Sequence, residues 1–270
     1  FIFVLDMGVR GAAIATVLSQ LLSALWVLRF LTGPKAELRL HFRGFRPDFA
    51  CIHKIAVLGS SSFVMSFTDS LVQVASNATL RMFGGDIYVS VMTVINSVRQ
   101  IAQTPVMAIT DGASPAISYN YGAAVYGRVC AAIRFMTQLS FGYTLLIWAL
   151  ISAFPAAFIM IFNHDAELVA AAVPALHIYF FGFVMMAFQF SGQCVFKSLN
   201  KARLAVFFSL LRKAFIVVPL TLLLPHIGGL GVNGVFLAEP VSNLVGGLAC
   251  YITMRLTVMP ELKRLPSQNT

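Results

Sequence analysis

The sequence predicts an all-α polytopic membrane protein with seven transmembrane helices, which are the last helix of an N-terminal lobe and a complete six-helix C-terminal lobe. The first observation behind this class is composition: hydrophobic residues make up 59% of the 270-residue chain and charged residues 11%. The mean hydropathy is +0.84, whereas a soluble domain of this length needs a more polar surface. The other two observations are an internal repeat and the distribution of basic residues.

Seven apolar stretches are each long enough to cross about 30 Å of hydrocarbon as a helix. In chain order, the predicted spans are 8–32, 51–80, 87–112, 129–155, 167–196, 203–225 and 231–258. The predicted domains are the last helix of the N-terminal lobe (1–32), a cytoplasmic connection between the lobes (33–50), the six-helix C-terminal lobe (51–259) and a cytoplasmic tail (260–270).

The first stretch is repeated in the last one. Residues 8–15 (GVRGAAIA) align without a gap with residues 231–238 (GVNGVFLA), at an offset of 223 residues. Five further apolar stretches lie between the copies, so each copy closes a unit of six membrane-length segments. Such a period is typical of secondary transporters built from duplicated helical lobes. We therefore expect this chain to be the C-terminal part of a two-lobed carrier, and Phe1 in place of an initiator Met agrees.

The net charge of +9 follows membrane topology rather than nucleic-acid binding. Basic residues concentrate in the first, third and fifth connections and at the C-terminus, while the alternate connections hold Arg81 alone or no basic residue. Cytoplasmic loops of membrane proteins carry this excess of Lys and Arg. We therefore place the loops 33–50, 113–128 and 197–203 and the C-terminus in the cytoplasm, and expect no nucleic-acid partner.

A cluster of helix-breaking residues follows the third span. Residues 110–123 read TDGASPAISYNYGA, in which Gly and Pro loosen a helix end and Asn and Gly tolerate the positive φ of a helix C-cap. The passage resembles the Gln-Pro-…-Tyr-Asn-Tyr-Gly-Ala signature of the multidrug and toxic compound extrusion (MATE) transporters, especially their MepA-like bacterial branch. This signature loop comprises Asp111, Gly112, Pro115, Tyr119, Asn120, Tyr121 and Gly122.

Residues 77–86 and 196–204 are similar to the same family. The resemblance implies a carrier of twelve helices in two lobes, of which this chain holds the sixth through the twelfth. Some relatives carry an acidic cation ligand on the tenth helix, but the span 167–196 has no acidic residue beyond Glu167 at its outer end. The resemblance therefore does not imply a sodium site of that type.

Ionisable side chains at bilayer depth are energetically costly and mark candidate functional sites. Asp69, Gln73 and Asn77 recur every four residues and share one face of the second span. In one interpretation, Asp69 binds a proton or a cationic substrate in a cavity lined by the other two. In the alternative, it forms an internal salt bridge with Arg99 or Arg212 that only holds helices together.

The third span carries a polar arc of Asn96, Arg99 and Gln103, which we expect to face an aqueous cleft. His177 lies at a similar predicted depth on the fifth span. It is a binding candidate, although a hydrogen-bonded structural histidine is the simpler interpretation.

The last two spans contribute Arg212 and Glu239 to the same set of binding candidates. Glu239 immediately precedes Pro240, which frees a backbone carbonyl and can bend the helix. Pro240 is therefore a candidate gating element.

We expect a secondary active transporter that exports organic cations or drugs in exchange for H⁺ or Na⁺ by alternating access. Its partners would be a small cationic or amphipathic molecule, the bilayer of the cell membrane and the N-terminal lobe of the same chain. We expect no enzymatic activity, metal site or cofactor other than the coupling ion, because the sequence lacks H-E-x-x-H and clustered carboxylates.

Two alternatives stay open. A flippase of the same superfamily would move a lipid-linked oligosaccharide or polysaccharide, since Arg99, Arg212 and Lys213 suit a more cationic cavity. A free-standing seven-helix receptor or membrane enzyme would leave the terminal repeat unexplained.

Overall fold

The computed structural model describes residues 7–33 and 48–264, and its contacts divide the chain into two compact units, Phe1–Ile55 and Ala56–Thr270. All regular structure in the described ranges is helical, with no strand there, in agreement with the predicted class. The α-helices are α1 (Gly8–Thr32), α2 (Phe49–Gly122), α3 (Tyr126–Ala153), α4 (Pro155–Met160), α5 (Ala166–Phe180), α6 (Met186–Ser198), α7 (Ala202–Leu210), α8 (Val218–Leu223), α9 (Val232–Ser242) and α10 (Leu248–Arg264).

Three predicted segments fall partly outside the described residues, the first of them by residues 1–6 of the predicted domain 1–32. Most of the predicted inter-lobe connection (34–47) and the end of the predicted tail (265–270) lie outside them. The start of the predicted tail is helical, because α10 continues to Arg264 with Met259 and Leu262 buried. Burial of these side chains extends the last helix past the predicted end at residue 258.

The two copies of the repeat each start at a glycine with a similar positive φ. Gly8, the first residue of α1, has φ +52°, and Gly231, directly before α9, has φ +49°. Side chains with a Cβ rarely adopt such values, so both positions favour glycine. The copies differ further on, because α1 is regular whereas α9 passes into a π-helical turn, Asn243–Gly247.

α2 is divided at Gly85, whose φ of 75° and ψ of −171° are not helical. We call residues 49–84 the first arm and residues 86–122 the second arm. The division lies between the predicted spans 51–80 and 87–112. A hydrogen bond of 3.4 Å from Asn96 Nδ2 to Gln73 Oε1 shows that the arms pack beside each other.

The prediction that the signature residues form a loop is wrong. The second arm of α2 stays helical through Gly112 and Pro115 and ends at Gly122. A proline inside a helix removes one backbone hydrogen bond, and here the helix continues past it. The predicted cap residues also differ: Asn120 Nδ2 donates to Ala116 O at 2.7 Å, and Ala124, with φ 56°, has the left-handed conformation. The cytoplasmic loop predicted at 113–128 therefore shrinks to residues 123–125.

The last part of the chain contains two π-helical turns, Leu211–Val217 between α7 and α8 and Asn243–Gly247 between α9 and α10. Pro219 directly follows the start of α8 and has no N–H to donate into the first of these turns. Such turns occur mostly inside α-helices and often at functional sites. Both turns contribute side chains to the site described below.

Four helical segments in the described residues are long and apolar enough to cross a membrane, and a pair bent by 43° would be a fifth. They correspond to the predicted first, fourth, sixth and seventh spans, and the bent pair to the fifth. The arms of α2, which contain the second and third predicted spans, are not among them. The count of seven therefore remains a prediction. The four segments are Ala13–Thr32, Tyr126–Ala153, Ala202–His226 and Val232–Arg264, and the pair is Ala166–Phe180 with Phe183–Ser198.

Candidate functional site

The second unit contains a cavity of about 450 Å³, lined by both arms of α2 together with α5, α6, α9 and the π-helical turn Leu211–Val217. Polar and charged side chains from elements far apart in the sequence meet in its wall. Of the predicted binding candidates, the following line it: Asp69, Gln73, Asn96, Arg99, Gln103, Arg212 and Glu239.

Glu239 is the centre of a buried ionic cluster. Its Oε1 atom lies 3.1 Å from Arg99 Nη2 and 2.9 Å from Arg212 Nη1. Arg212 Nη1 also donates to Asn243 Oδ1 at 2.7 Å. The side chains of Glu239 and Arg212 are 7% and 5% exposed. Two guanidinium groups therefore neutralise one carboxylate and leave one excess positive charge, and removing either type of partner would leave a buried charge unpaired.

Glycine allows this cluster to form. A Cβ at Gly246 would lie 2.9 Å from Cγ of Arg212, so the arginine stem runs directly over the π-helical turn Asn243–Gly247. A larger residue would displace the side chain from Glu239. The close approach of these two elements thus fixes the direction of Arg212.

A chain of polar contacts extends from the cluster to the first arm of α2. Arg99 Nη1 donates to Tyr179 Oη at 2.9 Å, and Tyr179 Oη donates to Asn96 Oδ1 at 3.5 Å. Asn96 in turn contacts Gln73. The network couples both arms of α2 with α5 and gives Arg99 two acceptors, in Glu239 and Tyr179.

Asp69 has a different environment from Glu239. Its Oδ1 atom is paired with Nζ of Lys213, and its side chain is 54% exposed, whereas that of Lys213 is 14% exposed. One of the two interpretations of Asp69 was a salt bridge with Arg99 or Arg212; the ion pair forms with Lys213 instead, because Glu239 contacts both arginines. Of Asp69 and Glu239, Asp69 is therefore the one whose carboxylate remains open to the cavity.

Several buried polar atoms in the cavity wall have no hydrogen-bond partner within the described residues. They are Gln103 Oε1, Gln189 Oε1, Ser209 Oγ, Arg212 Nε and Thr221 Oγ1. Buried polar groups in proteins are nearly always satisfied by protein, water or ligand. Their concentration at one cavity indicates a hydrated or ligand-binding cleft rather than an apolar void.

Three predicted candidates do not line the cavity: Asn77, His177 and Pro240. The ring of His177 contacts two backbone carbonyls, Val173 O at 3.1 Å and Ser152 O at 3.2 Å, as expected of a structural histidine. Pro240 lies inside α9 without ending it. A Cβ at Gly182, beside the bend between α5 and α6, would lie 2.6 Å from Pro240 O, so these helices are in direct backbone contact.

The predicted signature segment contributes mainly to packing. Asp111 and Ser114 reach the cavity wall. Ser114 Oγ lies 2.8 Å from Ser198 Oγ, and Ser118 Oγ donates to Ser198 O at 3.1 Å, so the second arm is attached to the end of α6. Tyr119 and Gly122 are exposed.

Sequence reasoning missed three residues of the site. Lys213 was noted as basic, but it pairs with Asp69, which is 144 residues away in the chain, so the contact depends on how the helices pack. Tyr179 lies in an apolar stretch where spacing does not mark it, whereas Asn243 follows Glu239 at a spacing of four and shares its line on the last span. Their polarity inside a predicted span was the available signal.

Comparisons with known proteins agree with this architecture. The sequence model of the MatE family matches residues 61–223. The multidrug export protein MepA of Staphylococcus aureus (strain MSSA476) is 24% identical over 261 residues, covering 95% of this chain and 57% of MepA. This chain thus spans less than two thirds of the length of that relative.

Solved structures show the same fold. A ligand complex of the MATE multidrug transporter DinF-BH has a TM-score of 0.84 at 32% identity, covering 98% of this chain and 59% of that chain. An outward-facing multidrug resistance MATE family transporter of the MOP superfamily has a TM-score of 0.88 at 20% identity, with coverages of 98% and 59%. Because the family match spans more than half of the sequence, this chain belongs to the MatE family of multidrug and toxic compound extrusion transporters.

Proposed function

We propose that this protein acts in a secondary active transporter that exports organic cations or related amphipathic compounds in exchange for H⁺ or Na⁺. The observation that carries the proposal is the half-exposed carboxylate of Asp69 in a polar cavity of about 450 Å³. Ionisable groups inside membrane proteins typically mark ion and substrate pathways. The multidrug export function of MepA and the description of DinF-BH as a multidrug transporter support this substrate class.

In this mechanism, the substrate and the coupling ion compete for Asp69. Uptake of H⁺ or Na⁺ at the carboxylate removes the counter-charge of the organic cation and releases it. Glu239 has a structural role instead, because Arg99 and Arg212 both hold its Oε1 atom in a buried cluster. Coupling then follows from differential affinity of the two conformations for substrate and ion.

Alternating access requires a second lobe, and the matched relatives are longer than this chain. We propose that a second lobe faces the cavity and that rocking of the lobes in the cell membrane opens the cavity to each side in turn. Pro240 is the candidate gating element, and its backbone packs against Gly182 at the bend between α5 and α6. The positive-inside distribution of basic residues supports a cytoplasmic C-terminus. Nothing in the comparisons favours the lipid-linked flippase.

Dye export tests the proposal. The full-length protein, expressed in cells without other drug pumps, should lower the accumulation of ethidium. The Asp69→Asn variant should lose most of this effect, whereas Glu167→Gln, which removes an exposed carboxylate in the first turn of α5, should retain it. Export by Asp69→Asn equal to that of wild type would contradict the role of Asp69.

The coupling ion requires a separate measurement. In proteoliposomes containing the full-length protein, an imposed pH gradient and an imposed Na⁺ gradient should be compared for dye transport. One gradient should drive uphill movement and the other should not. If neither does, the exchange mechanism is wrong, even where dye binding is retained.

A further inference from the structure

Lys213 occupies a position that the transport mechanism above does not use. It lies on the π-helical turn Leu211–Val217, next to Arg212, and its ammonium contacts Oδ1 of Asp69. The lysine side chain is mostly packed in the wall, while the carboxylate is half-exposed to the cavity. The carboxylate proposed to bind the substrate is thus already paired with a cation of the protein itself.

The balance of charge makes this pairing mutually exclusive with cation binding. Glu239 is held by Arg99 and Arg212, so Asp69 is the counter-charge for Lys213. These five groups together carry one excess positive charge. An organic cation at Asp69 would raise this excess to two charges unless the lysine ammonium moved away, because the cation would lie beside the like charge of a lysine side chain that is only 14% exposed.

The two adjacent basic residues differ in their freedom to move. Arg212 is fixed by Glu239, by Asn243 and by packing over Gly246. In the described residues, Asp69 is the ion-pair partner of Lys213. A lysine is a single point charge on a flexible four-carbon stem, whereas arginine is a rigid fork. Lys213 can therefore leave Asp69 without breaking the buried cluster.

We propose that Lys213 is a tethered competitor that occupies Asp69 when no substrate is bound and leaves when an organic cation takes its place. This inference rests on the proposed function. The lysine keeps the carboxylate paired after the coupling ion has left and before the next substrate binds, when an unpaired charge would be costly in the membrane. It also sets specificity, because only a cation that outcompetes the ammonium binds.

Equilibrium binding of tetraphenylphosphonium to the purified full-length protein tests this proposal. Lys213→Gln should bind more tightly, with a Kd lower by about threefold, as expected from removing a half-exposed ion pair. Lys213→Arg should bind more weakly than wild type, because a bidentate guanidinium holds the carboxylate more firmly. Lys201→Gln, which breaks the ion pair of Lys201 with Glu261 outside the cavity, is the matched control and should leave Kd unchanged.

A double variant distinguishes competition at Asp69 from a general effect of removing a positive charge from the cavity. In an Asp69→Asn background, Lys213→Gln should no longer tighten binding. An unchanged or higher Kd for Lys213→Gln, with wild type binding normally, overturns the proposal and leaves the proposed function intact. Absence of both binding and export by the wild type overturns the proposed function as well. In proteoliposomes, Lys213→Gln should lower both KM and kcat for the cation, since a substrate that binds tightly is released slowly.

Discussion

Nη1 of Arg212 lies 2.9 Å from Oε1 of Glu239, in a buried ion pair that joins a π-helical turn to α9. Arg99 on the second arm of α2 adds a second cation to the same oxygen. The ion pair gives the two acidic candidates different roles. Glu239 is held by two arginines and does not bind substrate, whereas the carboxylate of Asp69 stays accessible to it. The predictions below test this division and the packing that supports it.

Neutralising Glu239 should destabilise the protein. The Glu239→Gln variant leaves the buried guanidinium of Arg212 and the partly buried one of Arg99 without a counter-charge. Removing one partner of a buried pair costs about 3–5 kcal/mol. Thermal unfolding in detergent should show a clearly lower Tm. Asp69→Asn, at the half-exposed carboxylate, should change Tm much less. Equal effects of the two substitutions would contradict the assignment of Glu239 as the structural carboxylate.

The contact between Gly182 and Pro240 should tolerate no side chain. A Cβ at position 182 would lie 2.6 Å from Pro240 O, so Gly182→Ala should destabilise the protein by about 1–3 kcal/mol, as overpacking does. Gly142→Ala in α3 is the control, because its Cβ would meet nothing within 4 Å. The control should be neutral or slightly stabilising. Similar thermal stability of both variants would show that the helices separate easily at this point.

Tyr179 should act through its hydroxyl. Tyr179→Phe removes the acceptor for Arg99 Nη1 at 2.9 Å and the link to Asn96, at a cost of about 0.5–1.5 kcal/mol. The more specific readout is dye transport, which should slow because Arg99 loses its second acceptor and the cavity wall becomes less ordered. Tyr143→Phe in α3, outside the cavity wall, should transport at the wild-type rate. A Tyr179→Phe variant as fast as wild type would refute the proposed positioning of Arg99.

His177 should matter for stability and not for transport. Its ring contacts Val173 O and Ser152 O and lies outside the cavity wall. Replacing it by Ala should lower stability by about 0.5–1.5 kcal/mol, the usual net worth of a hydrogen bond. Ethidium export per molecule of folded protein should equal that of wild type. A specific loss of export would return His177 to the list of binding residues.

Much of the candidate site could be predicted because charged and amide side chains are rare inside apolar helices. The polar arc on the second arm and the residues Asp69, Gln73, Arg212 and Glu239 were identified in this way, and the structure brings them to one cavity. Asn77 was assigned by helical spacing alone, and the structure places it outside the cavity wall. Spacing defines the face of a helix, but the depth at which a cavity ends depends on the neighbouring helices.

The signature segment shows where local sequence preference failed to predict the conformation. Gly112 and Pro115 predicted a helix end, since both weaken a helix locally. The second arm nevertheless continues to Gly122, with Ser114 and Ser118 bonded to Ser198 of α6. Contacts with another helix outweigh local propensity here. The family resemblance carried by the same residues is confirmed, although their predicted conformation is wrong.

The sequence by itself determined the helical class, the family and the set of polar residues inside the apolar segments, because these depend on composition, local order and short patterns. Only the tertiary structure decided which charges neutralise each other. Arg99 and Arg212 converge on Glu239, and Lys213 is left to pair with Asp69, because the two π-helical turns and Gly246 set the distances between helices. Electrostatic energy depends steeply on such distances and on burial, and neither quantity can be read from positions along the chain.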